Sequence, residues 1–292
     1  MKRWLRRSLF LALAVVLAGF LAVACGDDDG EKEASPTTAA PTAGAPTAAP
    51  VADVPELEDG TLQILSDIAY APMEFYEAGT NDAKGLDVDL ANALAAKLGV
   101  EVEFINTGFD GIIGALQAED GDVIVSSMTV TPEREQEIDF IPYANVGTGI
   151  LVASGNPEGI AALADLCGLT VAVQEGTIQQ DMLEELNAGE CADNQMDVVT
   201  FDQNPLAVEE LRVGGAVAVL ADFPVALNDA NESEGELEVV GEQFEAAPYG
   251  IGLRKESTEL KSALEGALQE IKDDGTYDSI LSDWGLESAA LD

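Results

Sequence analysis

The sequence predicts an α/β protein of two lobes, each built on a mostly parallel sheet, joined by two strands that act as a hinge, with a ligand in the cleft. Three observations lead there. Strand and helix signals alternate in βαβαβ order through residues 62–126, and a second alternating set of similar size follows from Gly149. Polar residues also stand at the carboxyl ends of strands in both sets, where open parallel sheets bind ligands: Ser126 and Ser127 in the first, Gly176, Thr177 and Asp222 in the second.

The elements follow in order. Residues 62–65 form a first strand. Residues 88–98 form a helix with Leu90, Leu94 and Leu98 on one face, and residues 100–105 a second strand. A helix at 111–118 and a strand at 123–126 complete the first set. Thr131-Pro132-Glu133 reads as an N-cap followed by proline and an acid in the first helical turn. In the second set, strands are expected at 149–153, 167–173, 198–201, 216–220 and 237–240, and helices at 179–187 and 205–213. A strand at 250–253 and amphipathic helices at 260–273 and 276–284 close the chain. Glycines and small residues at 145–148 and 241–246 mark the crossings between lobes, which places lobe 1 at 54–146 plus 247–292 and lobe 2 at 147–246.

Ahead of these elements, Lys2, Arg3, Arg6 and Arg7 precede an apolar run from Leu9 to Ala24 that stops at Cys25. This is the form of an export signal over residues 1–24. The segment Leu-Ala-Val-Ala-Cys resembles the lipobox of bacterial lipoproteins, with Ala22 where a larger aliphatic is usual; the resemblance implies lipidation at Cys25 and an extracytoplasmic, membrane-anchored protein. Residues 25–53 are rich in Asp, Pro, Thr and Ala, without aromatics or apolar periodicity, and read as a disordered tether. No later apolar run is long enough to span a bilayer.

The 292 residues carry 13 bases against 55 acids, a net charge of −42. Such a field makes nucleic acid and anionic lipid surfaces poor partners. The acids are spread over the whole chain, so they read better as a general surface property than as a ligand signal. The sequence contains no histidine, which removes the commonest zinc ligand and the usual base for a cysteine nucleophile. No metal and no cofactor are expected. Cys167 and Cys191, each just before a strand in an exported chain, are expected to form a disulfide.

The stretch Ser126 to Arg134, SSMTVTPER, hands a strand over to a helix within a few residues. Backbone N–H groups freed by that turn, with a guanidinium able to hold two oxygens, make a receptacle for a carboxylate. The alternative for Arg134 is an ion pair with Glu133, Glu135 or Glu137 on a solvated helix face.

At Gly85 to Leu98 the sequence GLDVDLANALAAKL resembles the signature of the family 3 extracellular solute-binding proteins, the amino-acid receptors of bacterial ABC importers. Further stretches agree in order: SDIAYAPMEF from Ser66, GFDGIIGAL from Gly108, SSMTVTPEREQEIDF from Ser126, VAVQEGTIQ from Val171, GIGLRK from Gly250 and DGTYDSILSDWG from Asp274. The likeness spans residues 61–286, with one departure where Val217 or a neighbour replaces a usual aspartate.

The resemblance implies a periplasmic-binding-protein-like fold and a role for each matching residue. Arg134 would clamp the ligand α-carboxylate, helped by Thr129 and by the amides of Thr177 and Ile178, with Gln179 in the same turn. Asp222 would take the α-ammonium, sharing it with Ser127 or Thr129. Tyr70 and Phe109 match aromatic positions that sandwich an alkyl chain, though both also suit an ordinary core. Asp67 lies where receptors for basic amino acids and glutamine place an acid, which favours arginine, lysine, ornithine or glutamine; a turn-capping role for Asp67 stays open. Asp87 and Asp89 would be scaffold, Met73, Phe75 and Trp284 lobe packing, and Glu74 a residue of the cleft rim.

The implied function is a non-enzymatic receptor, expected as a monomer, that closes on a free amino acid and delivers it to a permease and its ATPase subunits. Two rivals remain: an arogenate or prephenate (cyclohexadienyl) dehydratase on the same fold, using Glu74, Glu175 or Asp67 as general acid, and an amino-acid sensor module. Genes for a permease or for a kinase beside this one would separate receptor from sensor.

Overall fold

In the computed structural model, which describes residues 54–291, eleven strands and eight α-helices follow one another. The expected export signal, Cys25 and the tether lie outside the described residues. The first set comprises β1 (Thr61–Ser66), β2 (Ala69–Tyr70), β3 (Glu74–Tyr76), β4 (Ala83–Lys84), α1 (Leu86–Leu98), β5 (Glu101–Asn106), α2 (Ile112–Gln117), β6 (Val123–Ile124) and α3 (Arg134–Glu137). Then come β7 (Asp139–Ala153), β8 (Thr170–Gln174), α4 (Ile178–Ala188), β9 (Asp197–Phe201), α5 (Asn204–Arg212), β10 (Ala218–Asp222) and α6 (Phe223–Glu232). The chain closes with β11 (Leu237–Leu253), α7 (Thr258–Asp273) and α8 (Thr276–Asp283).

Helix α1 illustrates how sequence sets the elements. Asp87 and Asp89 lie in its first turn, where the helix dipole favours acids, and Gly99 ends it at φ +72° in the left-handed conformation that glycine adopts without steric cost. Its Leu86, Leu90, Leu94 and Leu98 are buried in one core with Leu260, Leu264 and Ile271 of α7 and Ile280 of α8, so the closing helices return to the first set.

The main sheet runs β5-β1-β6-β11-β7-β10-β8-β9. β1 pairs in parallel with β5 and β6, and β8 in parallel with β9 and β10, so each end of the sheet is parallel. The antiparallel pair β7 and β11 joins them. These two long strands are the connection between lobes: Asp139–Ile141 of β7 lies opposite Ile251–Leu253, and Ile150–Ala153 opposite Leu237–Val240. Between them the register shifts at Val240/Phe244 and Phe244/Ala247, the local irregularity that bends a strand pair. Gly147 sits there, and a Cβ on it would lie 2.7 Å from the carbonyl oxygen of Phe244.

Each lobe has its own core. Leu65, Ile112, Leu116, Ile124 and Met128 form a second cluster on the far face of the first sheet half. In the other half Val171, Val173, Leu183 and Leu220 pack on one face, and Leu151, Ala207, Leu211 and Val219 on the opposite face. The Cys167–Cys191 disulfide spans a Cα–Cα distance of 5.2 Å, tying the approach to β8 to the loop after α4. Cys191 is buried within that core.

Several expectations change. Strand β6 is two residues long, so Ser126 lies just past it. The expected strands at 237–240 and 250–253 are two ends of one irregular strand, because the bulges break the period-two pattern between them. Helix α3 is one turn and starts at Arg134, not at Pro132; Thr131 still acts at its start, where its Oγ1 accepts from the Arg134 amide at 3.2 Å. The small sheet β2-β3-β4 and helix α6 carried no periodic signal long enough to announce them.

Candidate functional site

Asp67, Tyr70, Phe109, Ser127, Thr129, Arg134, Thr177, Ile178, Gln179 and Asp222 all line one cleft. They come from both lobes: Ser127, Thr129, Thr177 and Asp222 stand at or past strand ends, Tyr70 in β2, Arg134 at the start of α3, and Ile178 and Gln179 in the first turn of α4. Glu74, Ser126 and Gln174 join them. The residual cavity is about 20 Å³, room for roughly one water, because the side chains of the two lobes are bonded to one another across it.

Arg134 is carried just after the Thr129–Thr131 turn. Its Nη1 donates to the Thr129 carbonyl at 2.7 Å, and its Nη2 crosses the cleft to the Gly176 carbonyl at 3.0 Å. The guanidinium also lies 5.5 Å from the centre of the Phe109 ring, a cation–π separation. Among the described residues it makes no ion pair with Glu133, Glu135 or Glu137. Burial lowers its pKa, and Asp181 and Asp222 work in the opposite direction. Gly176, at φ +76°, allows the lobes to meet here: a Cβ on it would stand 2.8 Å from the Asp110 Cα.

Asp222 ends β10 and begins α6. Its Oδ2 accepts from the Tyr70 hydroxyl at 2.9 Å across the cleft, and its Oδ1 from the Gln179 side-chain amide at 2.8 Å. Burial raises its pKa, while Tyr249, Tyr70, Gln179 and Arg134 oppose the rise. Tyr70 is therefore tethered by its hydroxyl as well as packed by its ring. Thr177 caps α4, accepting from the Gln180 amide at 3.3 Å and donating to the Gln174 carbonyl at 2.7 Å. Gln179 also donates to Thr148 Oγ1 at 3.0 Å, which fixes its amide.

At the other end, Asp67 is 2% exposed. Its two oxygens accept from the Gln174 amide at 2.6 Å and the Gln203 amide at 3.2 Å, both from the opposite lobe. Its carboxylate is thus spent across the cleft and not on capping the turn before Tyr70. Burial raises its pKa against the two amide bonds that lower it.

The expectation for Glu74 is wrong. Its position in β3 puts it beneath the cleft, not at the rim, with 1% exposure. Its Oε1 accepts from the Ser126 hydroxyl at 2.8 Å, while Ser126 Oγ accepts from the Asp67 amide at 3.0 Å. Ser127 Oγ lies 3.3 Å from Glu74 Oε2 and 3.2 Å from Oδ2 of the fully buried Asp87. Burial pushes Glu74 well above the usual carboxylate range, reinforced by the Asp87 charge, and burial takes Asp87 to about 6. Asp87 is otherwise fixed by the Tyr143 hydroxyl at 2.7 Å and the Ser127 amide at 2.6 Å, so it is scaffold as expected. Ser126 is among the polar strand ends read from the sequence; Gln174, which ends β8, is not, although the same rule finds it. The sequence places Glu74 at the cleft rim and among the acids open to a general-acid role; its burial beneath the cleft depends on the small sheet β2-β3-β4.

The family model described as bacterial extracellular solute-binding proteins, family 3, matches residues 62–287. The L-cystine-binding protein TcyJ of Escherichia coli K12 is 33% identical over 228 residues, covering 78% of this chain and 83% of that protein. The arginine-binding protein ArgT of Corynebacterium glutamicum is 29% identical over 98% of this chain and 94% of its own. Among solved structures, an ancestral arginine-binding protein bound to arginine superposes with a TM-score of 0.73 at 39% identity, covering 77% of this chain and 98% of the other.

Proposed function

This chain belongs to the bacterial extracellular solute-binding proteins of family 3, and from that premise we propose that it is an extracytoplasmic receptor for a free L-amino acid with a basic or polar side chain. Arginine, lysine, ornithine and glutamine are the candidates. The observation that carries this reading is Arg134 and Asp222, opposite charges, lining one buried cleft. Removing an amino acid from water is costly unless each of its charges meets a partner. The ligand carboxylate would take the guanidinium bonds now made to the Thr129 and Gly176 carbonyls. The ammonium would take Asp222 oxygens now held by Tyr70 and Gln179, with Thr129 or Ser127 assisting. The side chain would lie between Tyr70 and Phe109 and replace the Gln174 and Gln203 amides on Asp67.

Because those protein bonds cross between lobes 54–146 plus 247–292 and 147–246, exchange requires the cleft to open about β7 and β11 and to close again on the ligand. The closed form then presents itself to an ABC permease and its ATPase subunits. Cys25 anchors a monomeric receptor to the cell membrane by lipid. The names of similar proteins support the chemistry: L-cystine and arginine for the two relatives above, and glutamine for a second structure of an ancestral arginine-binding protein, 40% identical.

The test is a thermal-shift screen of residues 54–292, stripped of carried ligand by unfolding and refolding, against the twenty amino acids, ornithine, citrulline and cystine. A ligand bound only by the folded form raises the melting temperature. A rise confined to the basic amino acids or glutamine is the expected result, and none with any amino acid would sink the reading. One observation favours a second reading: Glu74 is a buried acid with a raised pKa beneath the cleft, as a general acid would be. An ancestral amino-acid-binding protein described as a precursor of cyclohexadienyl dehydratase is 37% identical. Release of aromatic product from arogenate or prephenate would establish that alternative.

A further inference from the structure

The Glu74–Ser127–Asp87 bridge contains a proton that the hydroxyl alone cannot supply. Ser127 Oγ lies within 3.3 Å of an oxygen on each carboxylate, and a hydroxyl has one proton to donate. Whichever carboxylate it does not serve meets an oxygen lone pair, unless that carboxylate is itself protonated. Asp87 has the donors an ionised carboxylate needs: the Tyr143 hydroxyl, the Ser127 amide and the Ser127 hydroxyl, in the first turn of α1. Glu74 has one clear donor, Ser126, on its other oxygen. The consistent arrangement has the proton on Glu74 Oε2, donated to Ser127 Oγ, which in turn donates to Asp87.

The surroundings of Glu74 are of one sign. The titratable groups facing it are Asp87 from α1, Asp67 past the end of β1, Tyr70 from β2 and Tyr143 from β7. No base is among them. Glu74 also lines the cleft on the side of Asp67 and Ser126. A cation entering there would bring the missing opposite charge into a site of low dielectric and would favour ionised Glu74.

We propose that Glu74 holds a proton until ligand arrives and surrenders it to solvent when a cationic ligand side chain becomes its counter-charge, so that capture of a basic amino acid, but not of a neutral one, releases a proton. This inference rests on the receptor reading. The balance is simple: the neutral carboxyl and the cation become a carboxylate–cation pair, and one proton leaves through the opening cleft to bulk water. Ligand binding favours the ionised form, so affinity for the cationic ligand rises with pH through the titration of Glu74, by up to about tenfold per pH unit. Affinity for glutamine stays flat over the same range.

Titration calorimetry of the stripped receptor with arginine and with glutamine, in buffers of different ionisation enthalpy between about pH 5 and 8, tests it. The expected result is a buffer-dependent heat for arginine that corresponds to about one proton released, and none for glutamine. Glu74→Gln, with its fold checked by an unchanged circular dichroism spectrum and cooperative melting, should lose both the proton release and about tenfold or more of its arginine affinity. Asp67→Asn should keep the release. Arginine binding with buffer-independent heat in the unaltered receptor, or release that persists in Glu74→Gln, overturns the inference and leaves the receptor reading standing. Failure of every amino acid to bind overturns both.

Discussion

At one end of the cleft Arg134 and Asp222 carry opposite charges, each bonded to the other lobe, Arg134 to Gly176 and Asp222 to Tyr70. At the other end Asp67, Glu74 and Asp87 gather three carboxyl groups held by amides and hydroxyls, and no base faces them among the described residues. The first arrangement is complementary to what all amino acids share. The second is complementary to a side chain, and its excess of one sign rewards a cation or an amide donor and rejects an anion. Under the proposed receptor reading, general affinity and selectivity would be built separately, one on opposed charges and the other on a cluster of acids of one sign.

Substitutions that separate the two ends break or sharpen this contrast. The largest effect is expected from Arg134→Ala, which leaves a buried ligand carboxylate without its partner. Truncating one member of a desolvated charge pair costs about 2–5 kcal/mol, so calorimetry should register a loss of about thirtyfold or more for every amino acid, and unchanged affinity for any of them would remove Arg134 from the site. Asp222→Asn should follow, with a loss of similar kind shared by basic and neutral ligands, since it strikes the ammonium that all of them carry. A loss restricted to basic ligands would transfer Asp222 to the selective end.

Asp67→Asn is expected to discriminate. It should weaken arginine, lysine or ornithine by about tenfold while leaving glutamine within about threefold, because only the charged side chains lose a Coulombic partner. Equal losses for both classes in competition binding would show that the acid-rich end does not select. The smallest effect belongs to Tyr70→Phe, which keeps the ring and removes the hydroxyl bonded to Asp222. One hydrogen bond exchanged with solvent or ligand is worth about 0.5–1.5 kcal/mol, a few-fold change in affinity for all ligands; a change beyond that would mean that the hydroxyl touches the ligand directly.

Much of this was legible in the chain. Leu90, Leu94 and Leu98 at helical spacing gave α1, and β-branched runs gave β8 and β9, since periodicity and strand propensity are local properties. Strand ends gave Ser127, Thr177 and Asp222 because a parallel sheet opens its loops on one edge. Irregular backbone defeated the same reasoning. The bulges of β11 interrupt the period of two, the one-turn helix α3 is too short to show a period, and β2 to β4 are strands of two or three residues.

The two alternating α/β sets and the location of Arg134 after a strand-to-helix turn were determined by sequence alone, because each depends on residues near one another in the chain. The partners of the charges were decided only by tertiary structure. Arg134 might have paired with the acids of its own helix, and instead it reaches Gly176 of the opposite lobe. Glu74 reads as a rim residue until the fold of β3 against α1 sets it over Asp87, with Ser127 between them. Charge interactions in a buried site depend on distances across lobes and on how much water is excluded, and neither quantity is written in the order of residues.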